Sequence, residues 1–324
     1  MILTIAIGVA VVAVFAVSLM VGNTFYAPDE VLRVLLGETV PGASFTVGEL
    51  RLPRASLGTL AGFAFGIGGA AFQTLLRNPL AAPDIIGITT GASASAVVAI
   101  VLLGLDETGV SFVALAGSIL TALAIYFLSN RGGFAGARLI LIGIGVAAMM
   151  QSVISYVLSR AAEFDLQTAM QWLAGSLNGA TWSAVGPLAL AFLVLVPLVL
   201  LQVRALGTLR LGDDAAASLG VRVTAARLTL IIAAVALLAF ATAASGPIAF
   251  VAFMAGPIAA RILGPGGSLL IPAGLIGALL VLSADLLGQF AFDNRYPVGV
   301  ITGALGAPYL IYLLARTNRS GGSI

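Results

Sequence analysis

The sequence predicts an all-α polytopic membrane protein of about ten transmembrane helices, and three observations carry that prediction. Hydrophobic residues fill 60% of the 324 positions and charged residues only 9%, against about 25% charged in an average soluble domain. Uncharged runs of spanning length recur along the whole chain. The few charges gather in short segments between them, with arginine unequally shared among those segments.

The runs fall near 2–25, 55–76, 85–105, 108–130, 139–159, 166–203, 228–260, 262–284 and 296–315. A hydrocarbon core about 30 Å thick takes roughly 20 helical residues, so each ordinary run is read as one span. The first has neither a basic leading segment nor a small-residue cleavage site, and is read as a retained span rather than a signal peptide. The run 166–203 exceeds one crossing and is divided into an interfacial helix near 166–175 and a span near 184–203. Within 228–260, Gly246-Pro247 and Gly256-Pro257 interrupt the pattern; one full span and then a short, broken one near 248–262 are expected. Irregular backbone at membrane depth survives only against protein or a cavity, so the broken piece is expected to face the middle of an assembly. The result is ten membrane helices in one domain, 1–324.

Arginine sets the orientation. With a cytoplasmic N-terminus and alternating spans, Arg77, Arg131, Arg138, Arg204, Arg210, Arg222, Arg227, Arg261, Arg316 and Arg319 fall inside. Arg33, Arg51, Arg54, Arg160 and Arg295 fall outside, together with most of the acids. Ten against five agrees with the positive-inside rule and puts both termini and the segment 209–222 in the cytoplasm.

Composition also removes chemistry. The 15 cationic side chains are all arginine, and the chain has no Lys, His or Cys. That excludes a P-loop lysine, a Schiff base, Ser-His-Asp and Cys-His nucleophiles, a zinc site of the usual ligands, and His or Cys haem ligation. No cofactor is expected on this chain, and any energy from ATP must arrive through another one. A net charge of +2 is too slight to suggest nucleic acid. Ion-coupled carriers keep polar groups at the midplane. Here only Asp285 comes near the membrane interior, and it is placed towards the outer end of its span.

Three stretches specify more than a span. In "LRLGDDAAASLGVRV", residues 209–223, Gly212 breaks a helix, Asp213 or Asp214 can cap a new one, and Gly220 suits a left-handed end. A solvated connector is the ordinary reading of such a loop; the smooth surface of Ala215, Ala216, Ala217 and Leu219 favours a partner protein. In the second span Gly58, Gly62 and Gly66 recur every four residues, a spacing that lets helix backbones approach in lipid. At its outer end lies "RLPR", with Arg51 and Arg54 as membrane-surface anchors or as a docking site for an acidic partner. At its inner end "FQTLLRNPLAAPDIIGITTGA", residues 72–92, combines Arg77, Asn78, Pro79 and Pro83 into a defined turn.

Taken together with "LLIPAGLIGALLVLSADLLGQ" at 269–289, "GPIAFVAFMAGPIAARILG" at 246–264 and "YPVGVITGALGAPYLIYLL" at 296–314, these strings resemble the iron–siderophore and vitamin B12 permeases. Those are the transmembrane subunits of type II ABC importers. The resemblance implies the ten-helix type II importer permease fold in a bacterial or archaeal inner membrane. It implies pairing with a second permease subunit, two ATP-binding subunits that carry ATP and magnesium, and a periplasmic or lipid-anchored binding protein. The cargo it implies is a ferric siderophore, with vitamin B12 or haem as alternatives in the class. It gives Gly212, Asp213, Asp214, Ala217, Leu219 and Gly220 as contacts to the ATPase. Arg51 and Arg54 match the family's docking arginines. Gln289 stands where the family usually has arginine, and Arg295 is the nearby substitute; Ile258 replaces a usual histidine. The fifth span, 139–157, matches a pathway wall, offered by Gly143, Ala147, Met150, Ser152 and Ser155. From other classes, an ion-coupled secondary carrier and a membrane-embedded enzyme are the alternatives, and the missing midplane carboxylates and nucleophiles weigh against both.

Overall fold

A computed structural model describes residues 2–81, 87–129, 136–209, 211–264 and 267–320, and among them every regular element is helical. The chain opens with α1 (Ile2–Met20), then a small shelf of α2 (Pro28–Leu35), the single turn α3 (Ala43–Phe45) and a π-helical turn at Thr46–Arg51. That turn runs directly into α4 (Leu52–Leu75). The spans α5 (Ile88–Val101), α6 (Glu107–Ser129) and α7 (Gly136–Leu158) follow, then α8 (Glu163–Ala174) and α9 (Trp182–Leu201). Two short helices, α10 (Val203–Leu209) and α11 (Asp213–Ser218), precede α12 (Val223–Ser245), α13 (Val251–Leu263), α14 (Leu270–Phe290) and α15 (Val298–Ser320).

Among the described residues eight helices are long and apolar enough to cross a bilayer, and α5 and α13 are shorter apolar helices. Together they make the ten that the sequence predicts. The expected interfacial helix is α8, and the expected broken span is α13. Its start is the left-handed Phe250, at φ 63°, after the Gly246-Pro247 break. One boundary moves: the expected span 262–284 is α14, Leu270–Phe290. Gly264 and Gly267, both at positive φ, end α13 and delay the next helix. Asp285 therefore lies inside the helix and is buried, close to the Phe290 end of α14, which is the end of its span where the sequence places it.

The helices sort into a core and a rim. α4 is buried along nearly its whole length and packs against α14, α12, α13 and α9. The best apolar windows of α4, α12 and α14 are 78%, 67% and 61% buried, whereas those of α1 and α7 are 17%. Helices apolar on every side sit well in either place, so the sorting comes from small residues. A methyl group added to Gly62 would lie 2.6 Å from the Gly277 carbonyl oxygen, one on Gly66 2.1 Å from that of Ala273, and one on Gly69 1.9 Å from that of Ala252. The glycine spacing of α4 is thus spent inside the subunit, bringing its backbone against those of α14 and α13.

Candidate functional site

Two polar constellations close opposite ends of α4, about 35 Å apart at 1.5 Å per helical residue. At the Leu52 end, Arg51 turns back onto α1. Its Nη1 donates to the Leu19 and Met20 carbonyls at 2.9 and 2.8 Å, and its Nη2 to that of Thr24 at 2.6 Å. A guanidinium is thereby supplied to the open carbonyls of a helix C-terminus. Gly22 makes room for it, since a methyl group there would lie 2.2 Å from Arg51 Nη2.

Arg54 grips Asp285 in a two-pronged pair, Nε to Oδ2 at 2.8 Å and Nη2 to Oδ1 at 2.7 Å, and its Nη1 donates to Asn178 Oδ1 at 2.7 Å. Gln289 completes the cluster by donating to Asp285 Oδ2 at 2.7 Å, and Arg295 donates to Asn23 Oδ1 at 3.0 Å. All four residues expected at a docking face border one cleft of about 420 Å³. Arg51 and Arg54, however, spend their guanidinium groups within the subunit, and Arg295 is the exposed one. Asp285 and Asn178 are the members that sequence reasoning missed. The signal available was a lone acid in an apolar run, four residues before Gln289.

At the Leu75 end the chain turns sharply. Leu76 donates to Phe72 and Asn78 to Gln73, and Arg77 between them takes the left-handed conformation at φ 52°. Glycine is the usual occupant of that place, and a side-chain residue there costs about 1 kcal/mol. Asn78 Oδ1 accepts from the Leu80 N–H at 2.9 Å ahead of which sits Pro79, so the turn is held by its own side chain. Arg77 then reaches across, Nη2 donating to the Leu209 carbonyl at 2.5 Å and to Asp213 Oδ1 at 3.1 Å. Arg227 Nη2 donates to the same Asp213 oxygen at 2.5 Å. The other half of the expected turn, including Pro83, lies outside the described residues.

The short helix is α11. Gly212, at φ 114°, precedes it and Gly220, at φ 83°, ends it, with Gly220 and Val221 donating back to Ala217 and Ala216. Neither aspartate caps it: Gly212 is the N-cap residue, and the Asp213 carboxylate is drawn off by the two arginines. Ala216 is fully buried and seats the helix on its neighbours α10 and α12. Asp214, Ala217, Leu219 and Gly220 face outward, and Leu211 and Leu219 are 70% and 63% exposed. Two bare leucines, one on either side of this six-residue helix, leave apolar surface that lacks cover within the subunit.

The structure divides the expected pathway wall. Gly143, Ala147 and Met150 lie, with buried Ile154 and Val157, on the side of α7 that packs towards α5 and α6. Ser152 and Ser155 are exposed, as are Gly145 and Ala148. The 3.6-residue period explains the split: 143, 147, 150, 154 and 157 form one stripe, whereas 145, 148 and 152 form another. Gly143 belongs to packing, its carbonyl 3.0 Å from where a methyl group on Gly87 would lie.

Comparison with known proteins gives the same picture. Residues 10–316 match the FecCD transport family. The ferric enterobactin transport system permease protein FepG of Escherichia coli (strain K12) is 41% identical over 90% of this chain and 88% of its own. The achromobactin transport system permease protein CbrC of Dickeya dadantii (strain 3937) is 39% identical over 94% of this chain and 89% of its own. A solved structure described as an inward-facing conformation of a metal-chelate type ABC transporter superposes with a TM-score of 0.86 at 24% identity. It covers 97% of this chain and 99% of that one.

Proposed function

Because the chain belongs to the FecCD transport family, we propose that it is the membrane-spanning subunit of an ATP-driven importer of ferric siderophores. The observation that carries the reading is α11, a six-residue helix flanked by the exposed Leu211 and Leu219, apolar surface suited to a protein groove, on a chain with no lysine for a P-loop of its own. Asp214, Ala217, Leu219 and Gly220 are its contact residues for a separate P-loop ATPase. Orientation follows from arginine, with α11 cytoplasmic and the Arg54 cleft facing the binding protein. The exposed stripe of α7 with Gly145, Ala148, Ser152 and Ser155 supplies, with a second permease subunit, a wall without fixed charge past which a bulky chelate slides. Nucleotide-driven closure of the ATPase pair moves α11, and the paired permeases open to one side and then the other. Recognition of the chelate rests with the binding protein.

The test is uptake into vesicles holding the subunit with its ATPase and binding protein. Accumulation of ferric siderophore should require ATP and stop when the ATPase is omitted. Accumulation driven by a proton or sodium gradient alone would sink the reading.

A further inference from the structure

We propose that Asp213 is the pin of a three-way linkage, Arg77–Asp213–Arg227, that carries motion of α11 into α4 and α12. It is then a positioning residue inside the subunit, not a contact with the ATPase. The inference rests on the importer reading above and departs from it at this residue, which the family resemblance assigns to the partner.

Geometry makes the case. Both guanidinium groups reach one oxygen, Asp213 Oδ1, at 3.1 Å from Arg77 and 2.5 Å from Arg227. Arg77 also holds the Leu209 carbonyl, the last of α10, at 2.5 Å. One carboxylate therefore joins the turn after α4, the start of α11 and the second turn of α12, and Arg77 ties in the end of α10. Charge-assisted bonds of this kind are the stronger sort, and two on one oxygen fix direction as well as distance. The Arg227 side chain is 13% exposed and Asp213 48%, so the linkage is sheltered from water at its α12 end only.

The second observation is independent of the ion pairs. Arg77 keeps a left-handed backbone, φ 52°, where glycine would sit without strain. A plain turn gains nothing from arginine at that place; a guanidinium aimed at α10 and α11 does. The two spans so joined, α4 and α12, are the most deeply buried in the subunit. A push on α11 is consequently delivered to the core and not to a rim helix, while Asp214 and Leu219 remain outside to meet the ATPase.

Arg77→Gly and Asp213→Asn test the linkage in vesicles containing the complete importer. Each should lower cargo moved per ATP hydrolysed by about tenfold, with ATPase affinity held within about twofold. The thermal midpoint of the purified subunit should stay at its wild-type value for Arg77→Gly, whose backbone suits the turn. Asp213→Glu should restore most of the ratio, and the Arg77→Gly/Asp213→Asn double variant should fall no further than either single one. A wild-type ratio in Arg77→Gly makes that residue a turn former and ends the proposal. Weakened ATPase binding at an unchanged ratio in Asp213→Asn makes Asp213 a partner contact and also ends it. Should Asp213→Asn fail to fold, Arg77→Gly decides alone. A wild-type subunit that binds no ATPase overturns the importer reading itself, a result distinct from either.

Discussion

The Arg54–Asp285 pair shows what one residue can do where a charge is largely buried in the subunit. Asp285 is 6% exposed and the Arg54 side chain 20%, so neither charge is stable there alone. Removing one partner strands the other: Arg54→Met should cost about 3 kcal/mol of stability, read by unfolding of the detergent-purified subunit. The double variant Arg54→Met/Asp285→Leu should recover much of that loss, because the stranded charge is gone. Equal loss in single and double variants would mean that the pair matters only for packing. Arg54 and Asp285 were each visible in the sequence, but 231 positions separate them, and no local pattern announces such a pairing. By contrast the break at Gly212 and the positive-φ end at Gly220 were legible, because their cause lies within a few residues.

At the scale of the element, the same small residues serve two ends. On α4, Gly62 and Gly66 press against carbonyl oxygens of α14. Gly66→Ala should destabilise the subunit by about 1–3 kcal/mol, since the clash is with backbone that cannot turn aside. Gly186→Ala in α9, where no atom lies within 4 Å of the added carbon, should be neutral or stabilising by about 0.5 kcal/mol. On α7 the chain's freedom from cysteine allows a direct reading of its two faces. Ala148→Cys and Ser152→Cys should react with a water-borne thiol reagent in the assembled importer, and Ala147→Cys and Ile154→Cys should be protected. Faster labelling at 147 and 154 would place the pathway on the opposite stripe. The helix itself was evident from its apolar run. Its facing was not, because a span apolar on every side carries no amphipathic signal to orient it.

For the whole molecule the two ends of α4 carry two separate polar clusters, which the proposed importer assigns to a binding protein and to an ATPase. With Arg51 and Arg54 engaged internally, the exposed Arg295 is the better electrostatic handle. Arg295→Glu should weaken capture of the loaded binding protein at low salt and matter little at high salt, measured as a binding isotherm at two ionic strengths. Indifference at both would mean that docking relies on shape. The sequence by itself determined the membrane class, the number of apolar helices, the extra helix before the sixth span, the broken helix, and the short helix between the sixth and seventh spans. Those features follow from run length, proline, glycine and charge, which act over one or two helical turns or against a bilayer of known thickness. Tertiary structure alone decided which spans form the core, which stripe of α7 is covered, and that Arg54 and Asp213 are tied within the subunit. The physical reason is that lipid and protein interior are nearly equal solvents for an apolar helix. The choice between them is made by close backbone contact and by where each buried charge finds its partner, and both are properties of the assembled chain.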